Sequence, residues 1–313
     1  MFVASPFVLL ADARMTDSAK DMLAAGRIDD AISELNGRLA AAPSDAESSN
    51  LLCRAYFTLE EWDRAESSCK KAVSLDPENS RFHLWLGRVY GEKADRANFM
   101  SAAGLAGKVR GEFERAVQLN PKDVEARLDL TEFYISAPGI VGGGDDKARE
   151  QAKSISTWNP AREHWIYARI AEKKKDYATA EHEYHQYIDL SKGDAEAWLN
   201  LALFLRRQKR IDEMEQAIVE LNRSPKPKPD VLDEAAGMLY RSGRQYPLAI
   251  AMLQHYLASG PVEEAPAFKA HYLLGMLLEK QGDKAGAARE YRASLSLARN
   301  FGVAQQALDR VAH

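Results

Sequence analysis

Apolar residues along this chain recur at i, i+3, i+4 and i+7 in stretches of about a dozen residues, and no segment sustains a two-residue alternation. The pattern predicts helices throughout. The stretches come in pairs, and most pairs close on a proline; Pro43 and Pro77 stand 34 residues apart. The second pair shows the unit. Leu52, Cys53 and Tyr56 mark its first helix, Ala65, Cys69 and Ala72 its second, and Pro77 its end. The last full pair carries Leu274, Gly275 and Leu278, then Gly282, Ala287 and Tyr291. A fixed period of this length marks a stacked helical repeat. Such a chain grows in one dimension, each hairpin covering the apolar face of the next.

The pairs are not uniform. From Pro77 to Pro121 the interval lengthens to 44 residues, and from Pro121 to Pro160 it is 39. These excesses predict insertions at about 91–107 and 136–145, adjacent in sequence order and able to form one joint protrusion at an edge. Small residues at one place on each helix, glycine or alanine, predict close approach of the paired helices. A larger side chain there would overpack the seam, at about 1–3 kcal/mol. Beyond the last pair, Val303, Ala307, Leu308 and Val311 give one apolar side to a closing helix, with Gln305, Gln306, Asp309 and Arg310 on its polar side.

The two-helix unit, its small and aromatic positions and its closing proline make the chain resemble the tetratricopeptide repeat family, over about residues 14–299. That resemblance implies an all-α, right-handed α-solenoid of about seven or eight helical hairpins with a C-terminal capping helix over 300–313. The segment Pro138-Gly139-Ile140-Val141-Gly142-Gly143 resembles a turn seen in some bacterial relatives of the family. The role the family implies is to hold peptides or partner proteins, without catalysis.

Composition narrows the function classes. A formal net charge of −4 over 313 residues lacks the basic excess of a nucleic-acid binder, and no stretch reaches the ~20 apolar residues that span a bilayer. Cys53 and Cys69 read as two small buried apolar residues; the alternative is a disulfide in an oxidising compartment. Residues 1–13 hold an apolar run ending in Ala11-Asp12-Ala13, which reads as the remnant of an export signal or as an apolar tail. The export reading makes the protein periplasmic; the tail reading leaves it cytoplasmic.

Candidate chemistry is sparse. Gly142-Gly143-Gly144 precedes two aspartates that would repel a phosphate, so the segment reads as an enlarged turn with Asp145 or Asp146 capping the helix after it. Gly107-Lys108 is followed by Val109 where a phosphate-binding loop needs Ser or Thr. His182 and His185 lie three apart, yet Tyr184 and Tyr187 define the inner face of their helix. No cofactor, metal or catalytic constellation is predicted.

In the repeat family the first helices line a concave groove. Matching those places gives Asn50, Arg54, Arg81, Arg88, Arg162, Trp165, Arg169, Arg206, Arg207, Arg241 and Tyr272 as candidate peptide-binding residues. Two readings of the arginines stand: they grip a carboxylate-bearing, acidic partner, or they pair with Glu125, Glu172, Glu196 and Glu234. The expected function is a protein- or peptide-binding scaffold. The alternative is an accessory or periplasmic component that binds a small ligand at the insertion loops.

Overall fold

The computed structural model describes residues 18–225 and 227–312; the expected tail or signal remnant over 1–13 lies outside them. Among the described residues the elements are helices in the predicted order, an all-α helical-repeat solenoid. They run α1 (18–24), α2 (Ile28–Ala41), α3 (Ala46–Thr58), α4 (Trp62–Leu75), α5 (Ser80–Arg96), α6 (Phe99–Leu119), α7 (Val124–Ser136) and α8 (Asp145–Ser156). After these come α9 (Pro160–Lys173), α10 (Tyr177–Leu190), α11 (Ala195–Arg207), α12 (Ile211–Arg223), α13 (Pro229–Ser242), α14 (Tyr246–Ser259), α15 (Ala267–Lys280), α16 (Lys284–Leu297) and α17 (Gly302–Val311).

The sequence starts and stops these helices by local means. Side chains of Asp45, Asn79, Asn98, Asp123, Asn159, Asp176, Asp194 and Asp283 stand just before a helix and accept one of its first backbone N–H groups. Left-handed backbone then reverses the chain at Gly26, Glu60, Lys175, Lys209 and Gly243, with φ between 60° and 74°. Gly26 and Glu60 are one period apart, as are Lys175, Lys209 and Gly243. The repeat is therefore visible in backbone conformation as well as in side chains.

The chain divides into two compact units, one of residues 62–227 and one drawn from both ends, up to residue 61 and from 228 onward. In the 62–227 unit α5 packs on α6, α9 on α10 and α11 on α12. The predicted seam is real: a Cβ on Gly87 would stand 2.5 Å from the Phe113 ring. Tyr184 and Phe204 are fully buried with ring centroids 5.3 Å apart.

Both insertions lie in this unit. The first is taken up as helix: α5 and α6 span 17 and 21 residues, against 12 and 14 in α8 and α9. The second is the 3-10 turn Gly139–Val141 followed by glycines. Gly142 takes φ 100°, and a Cβ on Gly143 would fall on the carbonyl oxygen of Ala137. Arg110 of α6 donates to the Val141 carbonyl at 3.4 Å, tying the turn to the lengthened helix. Contrary to expectation, Gly144 and not an aspartate precedes α8; Asp145 lies in its first turn and pairs with Lys174 at 2.9 Å.

In the other unit α13 packs on α14, α15 on α16, and α17 on α16. Gly275 repeats the seam of Gly87, here against the Tyr291 ring. α17 buries Ala304, Ala307 and Val311, whereas Val303, expected on its apolar side, is exposed. The N-terminal helices dock on these last repeats. A Cβ on Gly26 would lie 2.8 Å from the Ala267 nitrogen. The Asp29 carboxylate accepts from the Arg299 backbone N–H at 2.7 Å, and Lys269 reaches Glu60 at 3.0 Å. Arg54 forks onto Glu263 across 209 residues of sequence, both side chains buried.

Cys53 and Cys69 are buried and neither is a free thiol, so the oxidised alternative replaces the reading of two buried thiols.

The turn supplies a direct test. Gly143→Ala should lower stability by about 1–3 kcal/mol, read as a fall in the urea midpoint at unchanged slope. Gly139→Ala, which meets open space, should leave the midpoint in place. Equal midpoints for the two variants would show that the close approach at Gly143 is not required.

Candidate functional site

Helices α5, α7, α9 and α11 are the first helices of successive repeats in the 62–227 unit, and their charged side chains link each to the next. Arg88 of α5 donates through Nε to Asp129 of α7 at 2.6 Å and through Nη2 to Glu125 at 3.1 Å. Glu132 of α7 accepts from Arg169 of α9 at 2.6 and 3.2 Å. Arg169 also donates to Glu172 on its own helix at 2.7 Å. Glu172 in turn accepts from Arg207 of α11, Nη2 at 2.8 Å, and from the Tyr184 hydroxyl at 3.2 Å. Arg162 pairs with Glu196, and Trp165 Nε1 donates to Asn200 Oδ1 at 2.8 Å.

The electrostatics follow from this enclosure. Burial alone would lift the Glu172 carboxyl; the guanidinium groups of Arg207 and Arg169 outweigh it and hold the group below the usual carboxylate range. At Asp129 the balance tips the other way, and burial raises it despite Arg88. Burial also pushes the Tyr184 hydroxyl up, helped by the charge of Glu172. The face sets four arginines against five carboxylates. It is a charge-balanced ladder, without the cationic surplus that arginines counted alone imply.

The remaining predicted residues are placed differently. Arg81 is exposed at the start of α5, and Arg206 is half-buried. In the unit drawn from the chain ends, Asn50 is fully buried with neither amide atom hydrogen-bonded among the described residues, and Arg54 is held by Glu263. Arg241 pairs with Glu234 at 3.0 Å. Tyr272 packs its ring against Tyr291 and Phe301, centroids 5.8 and 5.4 Å away. Thus each of Glu125, Glu172, Glu196 and Glu234 takes an arginine, as the second sequence reading held. His182 and His185 are exposed while Tyr184 and Tyr187 are buried.

Asp129, Asn200 and Glu263 were missed. For Asn200 a signal exists. Glu132 and Arg169 are 37 residues apart, Trp165 and Asn200 35, Glu172 and Arg207 35, all close to one period. Complementary residues one period apart on first helices therefore mark the ladder. Nothing local marks Glu263.

Among the described residues no group of His, Cys, Asp and Glu is placed to hold a metal ion, and no helix is long and apolar enough to cross a membrane. The architecture is that of a helical-repeat protein presenting a polar face from its first helices. The profile of the tetratricopeptide repeat matches residues 16–80, 168–220 and 234–301, more than half of the chain. The chain belongs to the tetratricopeptide repeat family. No curated protein matches it. It is similar in structure to yeast Tom70, with 16% identity over 91% of this chain and 58% of that one and a TM-score of 0.53. It is also similar to a thermophilic tetratricopeptide protein of Thermus thermophilus, at 19% identity over 62% of this chain and 98% of that one, TM-score 0.48. A tetratricopeptide repeat protein of Parabacteroides merdae aligns over 96% of this chain and 98% of its own at 15% identity, TM-score 0.47.

One carboxylate of the end-derived unit has an unusual state. Oδ1 of Asp233 is buried without a hydrogen-bond partner among the described residues. Burial, reinforced by Glu234 and opposed by Lys269 and Arg241, pushes its carboxyl up to about 6. From about pH 4 to pH 6 the unfolded chain has released this proton while the folded chain keeps it, so stability falls as pH rises through that window. Asp233→Asn should therefore be more stable than the wild type above pH 6, by on the order of 2 kcal/mol, and level with it near pH 4. Parallel urea-unfolding curves of the two proteins across this range would contradict the assignment.

Proposed function

We propose that the chain is a non-enzymatic scaffold that holds a protein or peptide partner on the first-helix face of α5, α7, α9 and α11. The observation that supports this most is the charge ladder itself. Side chains of both signs stand at fixed, repeated places, each braced by the next repeat, with Trp165 half-buried among them. Bracing removes rotamer freedom before a partner arrives, so less ordering is required on binding. With arginines and carboxylates nearly balanced, the face suits a partner segment carrying both signs of charge in place of a purely acidic one. Family membership supports the same role, since the fold offers extended surfaces.

The test is affinity purification from the native cell with quantitative mass spectrometry, comparing the wild type with a doubly reversed Arg81→Glu, Arg207→Glu chain. Both side chains are exposed. The variant should keep its helical circular dichroism and recover the specific partners about tenfold less. Equal recovery would overturn the assignment of this face.

The state of the cysteines supports an oxidising compartment, and with it the periplasmic setting. Protein purified and denatured without reductant should take up no iodoacetamide, and should take it up at both Cys53 and Cys69 after reduction. Labelling before reduction, in protein taken directly from its native cell, would remove this support.

A further inference from the structure

Three large apolar side chains stand apart from the other large ones among the described residues: Ile140 is 95% exposed, Phe99 90% and Met100 85%, while the next, Leu190, reaches 48%. All three lie in the two inserted segments of the 62–227 unit. Phe99, Ala102, Ala106, Phe133, Ile140 and Val141 line one cleft of about 350 Å³. Its volume is at the lower end of the range for small-ligand pockets.

On α6, Phe99, Ala102, Ala103 and Ala106 line the cleft at i, i+3, i+4 and i+7. That spacing gives one side of a helix an apolar stripe, and here solvent lies beyond it. Residues of both inserted segments line this one cleft, and Arg110 ties α6 to Val141 beside it.

Charge narrows what fills the gap. Asp95 is the only charged residue lining it, and Asp95 is exposed, with no hydrogen bond or ion pair among the described residues. The cations nearby are already engaged. Arg96 pairs with Glu92 and lies over the Trp62 ring at 4.5 Å. Arg110 donates to the Val141 carbonyl and Lys147 to that of Gly142, and Lys108 lies over the Tyr90 ring at 5.2 Å. An apolar cleft whose one unmatched charge is negative is the reverse of what an anionic lipid surface attracts. It complements an apolar segment that carries a lysine or arginine.

We propose that this cleft takes an amphipathic helix of a partner protein, two apolar side chains inserting between Phe99 and Ile140 and a basic side chain reaching Asp95. The mode is helix-in-groove recognition with anchors at i and i+3 or i+4. The proposal rests on the scaffold role argued above and adds a second contact site to it, away from the charge ladder. The alanines of the lining let a helix backbone approach closely, and Met100, next to Phe99 in sequence, supplies an unbranched, adaptable side chain.

The test is selection from a display library of randomised amphipathic helices on the full chain. Enriched peptides should carry paired apolar residues at i and i+3 or i+4 with a lysine or arginine close by. Ile140→Asp should weaken their binding about tenfold or more, and Asp95→Lys should shift the preference to acidic peptides. Both positions are exposed, so neither change disturbs the fold. Arg207→Glu should leave these peptides bound. Peptides that lose affinity for the Arg207→Glu chain and keep it for Ile140→Asp would leave the ladder reading standing and overturn the cleft. A library yielding no binder that distinguishes wild type from Ile140→Asp would overturn it as well. Ile140-dependent sedimentation with vesicles of equal parts phosphatidylcholine and phosphatidylglycerol would assign the cleft to a membrane instead. Ile140-dependent self-association in light scattering would assign it to a second copy of the chain.

Discussion

A helical hairpin of about thirty residues cannot cover its own apolar face, and every level of this structure answers to that deficit. Cover requires helices to approach closely, and close approach requires small side chains opposite large ones. Gly87 against Phe113 and Gly275 against Tyr291 are the same solution in two different repeats. Once the seam fixes the distance between helices, Asp and Asn at the helix starts and left-handed residues at the reversals have only to repeat on schedule.

The polar features are consequences of the same spacing. Stacked first helices bring residues one period apart within reach of each other. Arginine and glutamate at such positions become cross-links between repeats, as Glu132 with Arg169 and Glu172 with Arg207 show. The second helix contributes from beneath: the Tyr184 hydroxyl donates to Glu172, and Tyr291 to Glu279 at 2.8 Å. An exposed ion pair adds little stability by itself. A bridge enclosed by a tyrosine and two arginines holds a defined geometry, and geometry is what a binding face needs.

Much of this was legible in the residues. Periodicity gave the helix order, the small positions gave the seam, and the proline intervals located both insertions. Composition could not show that Arg88, Arg162, Arg169 and Arg207 are matched, because pairing depends on which carboxylate lies one repeat away. The Arg54–Glu263 pair was illegible for a further reason. It joins segments more than 200 residues apart, and a short-range pattern carries no information about such contacts. The inserted α6 turns read as sequence excess, and only their placement beside Ile140 revealed a cleft.

The docking of the N-terminal helices on the last repeats bears on how the protein is made. An ordinary repeat array can consolidate from its first hairpin onward as the chain leaves the ribosome. Here Asp29, Arg54 and Glu60 await Arg299, Glu263 and Lys269, so one compact unit stays unfinished until residue 299 has been synthesised. Closing so long an intervening stretch is entropically costly and slow. The apolar surface of α2 and α3 thus waits for partners more than 200 residues further along, and a nascent chain of this kind has particular need of a chaperone's cover while it waits.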